Sequence, residues 1–213
     1  MSDFEWPEDM PPAVQSFWLQ PHTVRSESPF TRQAKIYALS APRWVTRMTF
    51  IAGADGTAGA EGFGPRLDAL IATLEGGANR IAIWDFRRAA PDAELVNAAI
   101  EAGDQSARLL GAASGDLRVG QYIGGDGRPH LVTAIAVDGS DLVASVKPAF
   151  GAAIAEGAAT YAKVAAWFRL VSDDAGENET DDRRVTNYQL DLVEDLAAPG
   201  EINFTDEPLT YSG

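Results

Sequence analysis

The chain contains no cysteine, which excludes disulfides and thiolate metal sites outright. That absence says little about compartment, since many cytosolic proteins lack cysteine too. Histidine is nearly as scarce, with only His22 and His130 in 213 residues. A Ser-His-Asp triad needs one of them oriented by a carboxylate. His130 opens a strand after Gly-Arg-Pro and reads as a surface or hairpin-end residue. Basic residues are also few: 17 Lys and Arg against 31 Asp and Glu leave a formal charge of -14. Such a surface does not grip phosphate backbones and repels an anionic polymer passing close by. No window approaches roughly 18 consecutive apolar residues, so no membrane-spanning helix is expected. The first residues, MSDFEWPEDMPPAV, have neither a basic n-region nor an apolar h-region. A secretory signal is therefore not expected, and the reading is of a protein made in a cytoplasm and kept soluble.

The familiar motifs of catalysis fail one after another. "GAASGD" misses the G-x-S-x-G elbow and lacks its strand-to-helix context, so it reads as a turn. The glycine-rich run 53–64 matches neither phosphate-cradling pattern and reads as a flexible connection. The acidic run 173–182 lacks the ligand register of an EF-hand loop and reads as solvated. Arg87-Arg88 and Arg183-Arg184 are isolated doublets in an acidic chain, suited to an acidic partner surface rather than to nucleic acid. The sequence therefore assigns no catalytic, cofactor-binding or metal-ligating residue, and an enzyme is not expected.

At 46% hydrophobic, the chain can bury a real core. Residues 1–27 carry Pro7, Pro11, Pro12 and Pro21 and read as an irregular N-terminal arm. Phe17, Trp18 and Leu19 within it are expected to dock on the body or on a neighbouring subunit, and Trp6 and Trp18 to pack across an interface. Two strands follow, roughly 30–39 and 44–52, with a break at Ser40-Ala41-Pro42-Arg43. Side chains two apart share a face, so Trp44, Thr46, Met48 and Phe50 point one way and Arg47 the other. A helix over 65–76 starts at Pro65, carries Leu67, Leu70, Ile71 and Leu74 on one stripe, and ends at Gly76-Gly77.

"NRIAIWDF" reads as a central strand, apolar on both faces and covered by the helix on one side. Short strands come next: 106–110, 117–123, a hairpin with arms "HLVTAIAV" and "LVASVKPAF", and 160–171. A body over 28–172 is followed by an acidic loop at 173–184, a last strand at 185–196 and an acidic tail at 197–213. Trp44, Trp84 and Trp167 lie within apolar alternations, where burial is the default. The expected class is mainly β (α+β), with one packed helix and a second β-rich half.

The stretches "SPFTRQAKIYALSAPRWVTRMTF", "LDALIATLEGG" and "NRIAIWDF", followed by "LRVGQYIGGDGRPHLVTAIAV" and "AAWFRL", resemble a family of tailed-phage tail proteins. The resemblance covers about residues 28–170. It implies a tail-tube-like β-barrel or sandwich in a distal tail or baseplate-hub component. Such a protein is a structural part of the virion, made in the host bacterial cytoplasm. It forms a ring, usually hexameric, that joins the tail tube to the hub or fibres. DNA would pass through the lumen without specific binding, and no cofactor or membrane insertion is implied. A tail-tube or tail-terminator subunit is the alternative within this class. A carbohydrate-binding or hydrolytic β-domain is the alternative outside it.

Overall fold

A computed structural model describes residues 3–53, 63–88, 91, 95–112, 117–174, 178–180 and 185–197. The fold is mainly β. Its strands are β1 (Asp3–Glu5), β2 (Val14–Glu27), β3 (Ala34–Gly53), β4 (Arg80–Trp84), β5 (Val96–Asn97), β6 (Ser106–Leu110), β7 (Tyr122–Ile123), β8 (His130–Asp138), β9 (Asp141–Lys147), β10 (Ala165–Leu170), β11 (Asn178–Thr180) and β12 (Val185–Glu194). Among the described residues one α-helix, α1 (Phe63–Leu74), interrupts them, followed by a 3-10 turn at Glu75–Gly77. A seven-stranded sheet runs β1-β4-β10-β12-β3-β2, with β11 attached to β12, and a five-stranded sheet runs β5-β6-β9-β8-β7.

The larger sheet is held against α1 by the stripe that the sequence displays: Leu67, Leu70 and Leu74 are buried. Opposite them stand the expected faces of β3 and β4, with Trp44, Met48, Phe50, Ile81 and Ile83 in one cluster. β4 is buried almost throughout, as a strand between β1 and β10 under a helix must be. A second cluster, around Leu109, Val132, Leu142, Val146, Phe150 and Ile154, underlies the five-stranded sheet. Tyr188 pins α1 to β12: its hydroxyl lies 3.1 Å from Gly64 O and 3.0 Å from Asp68 Oδ1, two acceptors for one proton. Burial and the bond to Asp68 raise that phenol to about 12. Tyr188→Phe should cost about 1 kcal/mol. In a chain of this size that lowers the unfolding midpoint by roughly 2–4 °C, read in a calorimeter.

Four expectations change. As far as Leu19, the N-terminal arm belongs to the body of its own chain. β1 pairs in parallel with β4, and Trp6, Met10 and Phe17 are buried in the main core. The prolines at 7, 11 and 12 fall between strands, where no ladder donor is missed. Within β2 the alternation splits the adjacent trio: Phe17 faces the core, Trp18 is 41% exposed and Leu19 is half-buried. Second, Pro42 does not break the chain, and β3 runs unbroken for 20 residues. Its missing N–H falls opposite Pro21, where the β2–β3 register shifts between Gln20, His22 and Thr23. Third, the expected strands at 117–123 and 160–171 shorten to β7 and β10. Fourth, the 173–184 stretch carries β11, paired with β12. The glycine run at 54–62, the Arg183-Arg184 doublet and the tail from 198 lie outside the described residues.

Candidate assembly interface

β2 and β3 are much longer than their neighbours. β12 pairs with β3 only from Val45 to Gly53, and the β2–β3 pairing continues out to Glu27 opposite Ala34. Residues 20–43 therefore leave the sheet as a two-stranded ribbon, and almost every residue in it is exposed. At about 3.3 Å per residue, β2 from Gln20 to Glu27 reaches roughly 26 Å. The tip is closed by the Ser28 N–H donating to Gln33 O (3.0 Å) and the Arg32 N–H to Ser28 O (2.9 Å), with Arg32 at φ 53°.

The ribbon's side chains are unlike those of a solvated hairpin. Phe30, at the tip, is 95% exposed. Val24 opposes Tyr37 on one face, where Leu39 follows, and Ile36 opposes Arg25 on the other; all four apolar side chains are exposed. A lone two-stranded hairpin is marginal in water. Exposed apolar groups on both of its faces make it a candidate contact surface. Its charge is also the reverse of the body's. Arg25, Arg32, Lys35 and Arg43 against Glu27 give +3, which leaves -17 for the rest of a chain at -14.

A buried polar clasp fixes the ribbon's base. The Glu194 carboxylate accepts from the Trp44 main-chain N–H (2.7 Å) and from Arg128 Nη2 (2.8 Å). Arg128 Nη2 also donates to Pro42 O at 3.0 Å, and the Trp44 indole N–H to Pro129 O at 2.8 Å. Burial raises the Glu194 carboxyl despite the opposing pull of Arg128.

His130 corrects the surface reading, being completely buried. Its Nδ1 faces Pro148 O at 2.9 Å and its Nε2 faces Asp126 Oδ1 at 2.8 Å. Burial alone would raise Asp126, but the hydrogen bonds from His130 and from the Gly151 and Ala152 N–H groups outweigh it and hold the carboxyl low. This segment between β7 and β8 ties the five-stranded sheet to the root of the ribbon. Nothing in the local sequence announces the clasp, because its members lie up to 150 residues apart.

Two further features bear on the expected roles. Within its own chain Arg87 is engaged: Nε and Nη2 grip the buried Asp85 at 2.8 Å each, and Nη2 also donates to Phe17 O. Beside that carboxylate a cavity of about 20 Å³ is lined by Trp84, Arg88, Tyr122, Tyr161 and Lys163, room for a water. Burial pushes the Tyr161 phenol to about 12. Asp85 is the one carboxylate lining the cavity, and it accepts from the Tyr122 hydroxyl at 3.1 Å. Paired carboxylates of the kind a glycosidase uses are not found there. Among the described residues, no group of three or more His, Cys, Asp or Glu is placed to hold a metal ion. Compared with known proteins, the chain matches no family model and no curated protein is significantly similar to it.

Proposed function

We propose that this chain is a structural subunit of a phage tail, forming a ring at the distal end of the tail tube that links it to the baseplate hub or fibres. The placement in a tail rests on the resemblance of residues 28–170. The observation that carries the ring is the ribbon, a basic, apolar arm projecting from an acidic body of the same chain. An arm of one sign on a body of the other favours head-to-tail contact between copies, and contacts of that kind close into rings. A body at -17 also suits a lumen through which DNA must slide.

Replacing residues 23–39 with Asn-Gly joins His22 to Ser40, which already face each other, through a tight turn. By light scattering and negative stain, the parent should form rings, six copies being the expected number. The trimmed variant should run as a folded monomer, 15 residues shorter and so somewhat lighter than the parent chain's 22.7 kDa. A parent that stays at the monomer mass at every concentration sinks the proposal.

A further inference from the structure

β8 is an edge strand without the usual protection. On the side away from β9, β7 pairs with it only at His130 and Leu131, and main-chain bonds to Gly120 and Gln121 end at Val132. From Ala134 to Asp138 no described residue pairs with that edge. Ala134, Ala136 and Val137 are exposed, the last at 64%. Natural edges are blunted by charge or proline. Here the run from Leu131 to Val137 has neither, and the single register shift lies upstream, between Val132 and Ala134. The other outer edges of this sheet, β5 and β7, are only two residues long.

Resting on the ring reading above, we infer that this edge is the acceptor for the ribbon of a second copy, which adds to the five-stranded sheet by main-chain pairing. The occupant follows from charge and form. Ribbon against ribbon would set +3 against +3, whereas ribbon against body sets +3 against -17. The ribbon supplies strand edges with Val24, Ile36 and Tyr37 exposed, and strand addition uses main-chain bonds for affinity and alternate side chains for fit. The acceptor strand ends in Asp138, whose side chain is 63% exposed and pairs with Arg108 Nη2 at 2.6 Å. Donor and acceptor are different surfaces, so the contact is heterologous and leaves both free at the ends of an open chain until the ring closes.

The test is Ala134→Lys/Ala136→Lys, two exposed positions whose cations obstruct strand addition. The assembled fraction should fall at least tenfold, to that of the ribbon-trimmed variant, with the monomer's unfolding midpoint unchanged. If the double variant assembles like the parent and the trimmed variant does not, the acceptor is wrong and the ring reading stands. If the parent itself is monomeric, both fall. Because the chain has no native cysteine, Val24→Cys/Ala136→Cys treated with a short bis-maleimide decides the matter even if the lysine variant misfolds. A ladder of linked subunits is expected, absent from each single variant. Dimers from Val24→Cys alone would mean ribbon-to-ribbon pairing and overturn the inference.

Discussion

Trp44→Ala should lower the unfolding midpoint by roughly 6–20 °C, or leave the protein insoluble. Trp44 is 1% exposed, stacked on Phe17 at 5.0 Å between ring centroids and met edge-on by Tyr122 at 5.6 Å. Emptying such a site typically costs about 3–5 kcal/mol, a large share of the roughly 5–15 kcal/mol that holds a domain. The loss has a polar part as well, since Pro129 O would lose the indole donor in a buried place. Arg47, three residues on, points the other way and shares an exposed pair with Asp191. Arg47→Ala should fold with a midpoint close to the parent's. Measured side by side, the two variants test the facing of β3. A stable Trp44→Ala that had lost only its ability to assemble would make the indole a contact residue.

That facing was legible because it is local. Trp44, Met48 and Phe50 repeat every second residue or its multiple, and a strand has no other way to bury them together. The Leu67-Leu70-Leu74 stripe and the hairpin of β8 and β9 are legible for the same reason. What escaped is non-local. β1 is three residues long and exists because residues 80–82 offer it an edge, a pairing with no trace in "DFE". Pro42 reads as a breaker because a missing N–H normally costs a ladder bond. Opposite a register shift at another proline it costs none.

His130 looks like a surface residue beside Gly127, Arg128 and Pro129, until the fold brings it Pro148 O and closes Asp126 over it. The ribbon is a mixed case. Its strands are readable from alternation, but their overhang depends on where β12 stops, 150 residues away. The acidic and basic halves of the proposed contact are likewise visible as composition, and only the fold separates them into arm and body.

Asp126→Ala should strongly destabilise the segment between β7 and β8 that carries Arg128 and Pro129 of the clasp. The side chains of Asp126 and His130 are both fully buried, and breaking such a pair by removing one partner typically costs about 3–5 kcal/mol. His130 Nε2 and the Gly151 N–H would both lose their acceptor. The pH dependence separates this from simple loss of packing. Asp126 is held below its ordinary value, so its contribution is present above the usual carboxylate range and lost as pH falls through the lower folded-state value. Glu194 has the opposite sign: raised by burial, it favours the fold below the ordinary glutamate range and loses that contribution as pH rises through its folded value. The gap in unfolding free energy between parent and Asp126→Asn should therefore be widest near neutrality. It should narrow as pH drops below about 4, where the unfolded-state carboxyl takes up its proton. Denaturant titrations at pH 7, 5 and about 3 would measure it. A gap constant across that range would mean that Asp126 acts by shape alone, and that its charge does nothing to hold His130 and the Gly151 main chain in place.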